Sequence, residues 1–96
     1  MEKYKYKAVP STRFSKDVRK LEKSGKYDLS KLKAVIKILA AGEQLPAQYV
    51  DHPMKGKFKG YRDCHIQPDW VLIYKLEKNE LKLLLTRTGS HSDLEI

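Results

Sequence analysis

The sequence predicts an α+β fold: an N-terminal strand and a two-helix hairpin packed on an antiparallel sheet that ends in a three-strand meander. Three observations carry this. Apolar residues recur at helical spacing twice between Phe14 and Leu39. From Gly60 onward the pattern changes to short aromatic and β-branched runs separated by turn residues. The chain has 96 residues, room for one core and no second lobe, so 1–96 reads as a single domain.

The first strand is expected over residues 3–8, where Tyr4 and Tyr6 alternate with lysines. Period two with lysines between fits a sheet edge, because the charges discourage stray pairing. Pro10 and Ser11 end it, and Ser11 or Thr12 caps a helix. Phe14, Val18 and Leu21 form one apolar stripe, and Ser24-Gly25 stops it. Asp28 is the next N-cap; Leu29, Leu32, Val35, Ile36 and Leu39 make a wider face, ended by Gly42. Residues 44–60 read as loop, punctuated by Pro46, Pro53, Gly56 and Gly60. Strands over 60–66, 70–76 and 81–88 follow, joined by turns at Gln67-Pro68-Asp69 and Lys78-Asn79-Glu80. The hairpin then covers one face of the sheet and leaves the opposite face open.

Composition excludes several classes. Hydrophobic residues at 41% and charged residues at 33% exclude a disordered or fibrous chain. No apolar run approaches the ~20 residues of a membrane span, and the N-terminus lacks the apolar region of a signal peptide. The single cysteine, Cys64, excludes an intramolecular disulfide framework and fits a reducing compartment. A cytoplasmic protein is therefore expected. The net charge of +8 admits nucleic acid, an anionic membrane surface or an acidic protein as partner. Residues 1–50 carry 12 Lys/Arg against 5 Asp/Glu, and residues 51–96 carry 8 against 7. The basic excess lies in the first half, while His52, His65 and His91 all lie in the second. A docking half and a half with finer chemistry are the reading this supports.

Candidate chemistry gathers at the ends of the meander. His52 lies in the long loop, His65 and Asp69 flank the first turn, and Arg87 and His91 close the last strand. The turn brings His65 towards Asp69, and the returning third strand brings Arg87 back to the edge where Trp70 begins. These residue types suit RNA cleavage by its own 2′-hydroxyl. That reaction needs a base for the 2′-OH proton, an acid for the leaving 5′-oxygen and a cation beside the phosphorane. Imidazole, with a reference pKa of ~6.5, serves as base or acid, and arginine gives permanent, bidentate charge. No metal or other cofactor is required. Cys64-His65 with His52 and His91 lacks the paired spacing of a zinc site. Strand alternation puts Cys64 on the face opposite His65, where a buried structural thiol fits better than a nucleophile. Lys55, Lys57 and Lys59 alternate with Gly56, Phe58 and Gly60. With Arg62 just beyond, this loop is the candidate phosphate- and RNA-binding segment, Phe58 offering a ring for stacking. Trp70 and the tyrosines of the first strand read as packing.

Four segments match a known pattern in order: Asp51-His52-Pro53; Lys59-Gly60-Tyr61-Arg62-Asp63-Cys64-His65-Ile66; Pro68-Asp69-Trp70-Val71-Leu72-Ile73-Tyr74; and Arg87-Thr88-Gly89-Ser90-His91-Ser92-Asp93-Leu94. Together they resemble the YafQ-type toxins of the RelE/ParE superfamily. The resemblance is sharp over residues 51–94, and the helical hairpin fits by length and position. It implies a RelE-like fold and a bacterial, cytoplasmic type II toxin, a ribosome-dependent mRNA interferase that cuts message in the A site without a metal. By the same resemblance His52, His65 and His91 are functional histidines, Asp69 the acidic site residue and Arg87 the phosphate ligand. His91 is then the general acid, with His65, His52 and Asp69 candidates for the base. The implied partners are an acidic antitoxin, the ribosome with its RNA, and mRNA, with no membrane. Lys16, Lys20, Lys23, Lys31 and Lys37 on the helices are candidates for docking on ribosomal RNA. One position departs: after the leucine that Leu94 matches, the family commonly carries an aromatic, and here stands Glu95. Two other readings are a gyrase-poisoning ParE-like toxin and a non-catalytic basic RNA-binding module. His52, His65 and His91 argue against the first of these, whose members generally lack the histidine, aspartate and arginine set.

Overall fold

The helical layer begins where Ser11, in extended conformation, stops the first strand; the computed structural model describes residues 4–96. Ser11 Oγ accepts from the Phe14 N–H at 2.9 Å and caps helix α1 (Thr12–Ser24). Gly25 ends α1 at φ 69°, a left-handed turn that glycine adopts without a Cβ clash. Asp28 caps α2 (Leu29–Ala40) by accepting from the Ser30 N–H at 3.0 Å. Phe14 and Leu21 of α1 and Leu32, Val35 and Leu39 of α2 are buried, as their spacing predicts.

These stripes cover one face of a five-stranded sheet. Its strands are β1 (Lys7–Pro10), β2 (His52–Pro53), β3 (Arg62–Gln67), β4 (Trp70–Glu77) and β5 (Lys82–Gly89), in spatial order β1-β5-β4-β3-β2. Cys64, Trp70, Leu72, Tyr74, Leu83 and Leu85 face the helices. Trp70 Nε1 donates to Thr88 Oγ1 at 2.9 Å, and that hydroxyl donates to the Val71 carbonyl at 2.9 Å, so no polar group of this trio is left wanting.

The meander is as predicted, and four features differ. The expected strand over 3–8 begins outside the described residues, and its observed counterpart starts at Lys7. The Tyr6 N–H bonds instead to the Ala40 carbonyl at the end of α2, which buries Tyr6 against the helix, and the ladder starts with Lys7 N–H on the Leu81 carbonyl. β1 runs parallel to β5, so the sheet is mixed rather than antiparallel. Within the expected loop 44–60, His52 and Pro53 pair with β3 as a two-residue strand, too short for any periodicity. The opposite face is not open. Residues 54–61 and a last helical turn, α3 (His91–Leu94), fold onto it, packing Met54, Phe58, Tyr61 and Leu94 against Val71 and Ile73. A Cβ at Gly89 would stand 3.4 Å from the Asp93 Cβ, so α3 turns back into contact with the end of β5.

Candidate active site

The register of the sheet sets out the site. His52 pairs directly with Asp63, so both point from one face, and His65 follows Asp63 by two residues onto that face. α3 then delivers His91. The rings form a row: His52 and His65 have centroids 6.4 Å apart, His65 and His91 5.2 Å, both pairs edge to face. Two β-bulges adjoin the site. One lies between His65 and Gln67, the other between Arg87 and Leu85, opposite Ile73 and Tyr74. Bulges of this kind re-aim neighbouring side chains.

Each imidazole is held differently. His91 Nδ1 meets Asp69 Oδ1 at 2.7 Å, and the His91 backbone N–H donates to the same oxygen at 3.1 Å. A carboxylate accepts, so Nδ1 carries the hydrogen and Nε2 is left to face a reactant. These two bonds hold the Asp69 carboxyl below its ordinary range. Asp69 thus orients His91, and is not joined to His65 as the turn suggested. His52 has one nitrogen bonded and the other beside a carboxyl. Nδ1 donates to the Val50 carbonyl at 2.9 Å, and Nε2 lies 2.9 Å from Asp63 Oδ1. Among the described residues, neither nitrogen of His65 is hydrogen-bonded.

Asp63 is a site residue that the sequence reading passed over. It is 5% exposed, and its Oδ1 has no aligned hydrogen bond despite the close approach of His52. Burial pushes its carboxyl up, and the three imidazoles pull it partly back. Nothing in its residue type marks it; only the β2–β3 register and the loop over the face bury it.

The remaining candidates separate. Arg87 pairs with Ile73 on the site's face but stands two strands from His65, outside the imidazole row. It forks onto Asp17 of α1, Nε to Oδ2 at 2.7 Å and Nη2 to Oδ1 at 3.1 Å, and this partner raises its pKa. Asp93 and Glu95 add to the negative surroundings of Arg87. Arg62 is not brought to the row. It alternates onto the helix face, where it donates to Asp51 at 3.3 Å while the Tyr74 hydroxyl donates to the same carboxylate at 2.6 Å. Lys55, Lys57 and Lys59 are exposed on the loop that crosses the site's face, with Lys57 5.6 Å from the centre of the Phe58 ring. Phe58 is half-buried in the small apolar cluster, so packing uses part of the surface expected to stack on RNA. Lys16, Lys20 and Lys23 line a shallow hollow of α1 with Arg19, and Lys20 reaches Asp93 of α3 at 3.7 Å. Lys31 and Lys37 are exposed on α2. Cys64 is fully buried on the helix face, and burial pushes its thiol far up, as fits a structural residue. Among the described residues, no helix is long and apolar enough to cross a membrane.

Known proteins resemble this chain in sequence and fold. The mRNA interferase toxin YafQ of Escherichia coli K12 is 47% identical over 85 residues, 88% of this chain and 89% of that protein. The toxin chain in the E. coli DinJ–YafQ toxin–antitoxin complex is 44% identical, with a TM-score of 0.83 over 94% of this chain and 97% of its own. A metal-bound toxin from Helicobacter pylori is 42% identical, with a TM-score of 0.86 over 93% of this chain and 98% of its own. The family model for YafQ, the bacterial toxin of type II toxin–antitoxin systems, matches residues 6–96, and the chain belongs to that family.

Proposed function

We propose that this protein is a bacterial mRNA interferase toxin that cleaves ribosome-bound message in the A site by imidazole acid–base chemistry. The observation that carries the reading is the His65–His91 pair, 5.2 Å apart, with His91 Nε2 free and its Nδ1 fixed by Asp69. The apical oxygens of a phosphorane lie on opposite sides of phosphorus, so neighbouring imidazoles can serve one each. His65 takes the 2′-hydroxyl proton as base. His52 is less suited, with Nδ1 bonded to the Val50 carbonyl and Nε2 set against the Asp63 carboxyl, and Asp69 is tied to His91. The 2′-oxygen attacks phosphorus, the bond to the 5′-oxygen breaks, and His91 Nε2 protonates that leaving oxygen. Arg87 neutralises charge on the non-bridging oxygens, and Lys55, Lys57 and Lys59 hold the flanking phosphates.

The site is small, and the row of rings offers no long groove for RNA. The ribosome supplies what is missing by holding the message in line for attack, which lowers the entropic part of the barrier. The basic hollow of α1 and the exposed lysines of α2 dock on ribosomal RNA. The protein acts in the bacterial cytoplasm and is silenced by an acidic antitoxin, as the DinJ–YafQ complex of its relative suggests. The chemistry assigned to these side chains needs no metal.

The test is cleavage of ribosome-bound message by wild type, His65→Ala and His91→Ala, each checked for folding and assayed with and without chelator at controlled ribosomal magnesium. Loss of either imidazole should cost roughly 10²–10⁴ in rate, and chelator should cost nothing. A folded His91→Ala variant that cuts at the wild-type rate would remove the acid. Activity restored only by a particular added divalent ion would remove the metal-free mechanism.

A further inference from the structure

Arg87 is held by two of its five N–H donors, and the arrangement holding it is asymmetric. Asp17 takes Nε and Nη2, and its Oδ2 also accepts the Thr88 backbone N–H at 3.1 Å. The two side chains are 18% and 13% exposed, shielded from much of the solvent that would loosen such a pair. A fork of this kind fixes the plane of the guanidinium as well as its position. Both Nη1 hydrogens and one on Nη2 stay available for phosphate.

Asp17 lies 70 residues from Arg87 in the chain, on the same helix as Lys16 and Lys20. That helix is already fastened to β5 without Asp17. Ser11 Oγ donates to the Thr86 carbonyl at 2.9 Å, the Ser11 N–H donates to the Leu85 carbonyl at 2.9 Å, and Phe14 and Leu21 are buried in the core. Next to these attachments the β5 bulge turns Arg87 onto the site's face. The fork therefore adds little that attachment needs. What it adds is an orientation.

We propose that Asp17 is a positioning residue for cleavage: by fixing the Arg87 guanidinium it joins the ribosome-docking helix to the phosphate at the cleavage edge. This rests on the reading of Arg87 as phosphate ligand. A guanidinium already paired with a carboxylate attracts ground-state phosphate weakly. Its value lies in donors aimed where charge builds on the phosphorane, since preorganised donors need not reorient as the reaction proceeds. Removing Asp17 should therefore slow the cleavage step and leave ribosome affinity alone.

The experiment compares Asp17→Asn, Arg87→Ala and the double variant by single-turnover cleavage of ribosome-bound message and by ribosome co-sedimentation. Asparagine keeps an acceptor for the Thr88 N–H. If melting shows that it does not fold, Asp17→Ser replaces it. The expected result for Asp17→Asn is unchanged ribosome binding with cleavage slowed by up to about 10²-fold. Arg87→Ala should be at least as slow, and the double variant no slower than Arg87→Ala. Added guanidinium ion should partly restore Arg87→Ala when Asp17 is present and not when it is replaced. Losses that multiply in the double variant, or wild-type cleavage by Asp17→Asn beside a slow Arg87→Ala, would overturn the role of Asp17. Wild-type cleavage by Arg87→Ala would instead show that the reading of Arg87 is wrong, and the proposal would fall with it.

Discussion

His52, His65 and His91 share a residue type and differ in what their nitrogens are free to do. Each is visible in the sequence, as is Asp69, because imidazoles and a carboxylate beside a turn stand out from their neighbours. Asp63 and Asp17 do not stand out. Each looks like an ordinary surface carboxylate, and contacts 11 and 70 residues away along the chain, with His52 and Arg87, set them apart. Asp63 has a measurable signature. Its carboxyl is raised in the folded protein, so the ionised form is disfavoured by folding. The stability cost is absent below the unfolded carboxylate pKa, grows as pH rises from that value to the folded one, and is fully present above it. Asp63→Asn, which mimics the neutral acid, should therefore raise the melting temperature at pH 7 by a few degrees, with the gain shrinking as pH falls towards 3. A lower melting temperature at pH 7 would show that the contact with His52 outweighs burial. Asp69 runs the other way. Its carboxyl is lowered, so its hold on His91 is present above the ordinary carboxylate pKa of ~3.9 and lost as pH falls through the lower folded value. Weak activity at pH 5 would not come from Asp69.

At the scale of elements, both helices and the meander were legible because each repeats its apolar pattern and is closed by a cap or a tight turn. β2 has two residues and one is proline, so no pattern exists to read. The bulge in β5 misleads in another way. Leu83 and Leu85 face the helices, and strict alternation would carry Arg87 to the same side. The extra residue lets Thr88 face inward instead and sends Arg87 outward. The crossing of the second face by residues 54–61 was equally hidden, since Met54, Phe58 and Tyr61 belong to no periodic element. Helix α1 carries its own expectation. Lys16, Lys20 and Lys23 line one hollow, so their reversal to glutamate should weaken ribosome co-sedimentation by roughly an order of magnitude or more at moderate salt and reduce its salt dependence. Sedimentation equal to wild type would move the docking surface elsewhere. Lys20 also touches Asp93, so Lys16 and Lys23 alone make the cleaner pair.

For the molecule as a whole, the net charge of +8 and the placement of the basic residues govern association. Between β1 and α2 lies a groove of about 710 Å³, with Ile36, Ala40 and Leu81 in its lining and Lys5, Lys7 and Lys33 at hand. The groove offers apolar anchors within a basic rim to the acidic antitoxin proposed above. Association should therefore slow markedly between low and high salt while dissociation changes less, because steering acts on the encounter. Equal association rates at both salts would remove steering from the account. If imidazoles act as proposed, the message cuts itself through its 2′-hydroxyl. The most direct measurement is to programme ribosomes with message bearing a single 2′-deoxy nucleotide on the 5′ side of the scissile bond, beside unmodified message, and to identify the ends produced. Imidazole catalysis predicts no cleavage at the deoxy position, and on normal message a 5′-hydroxyl with a 2′,3′-cyclic or 3′-phosphate. Undiminished cutting of the deoxy message, or a 5′-phosphate end, would mean that water is the nucleophile and that the imidazoles do not act through the 2′-hydroxyl.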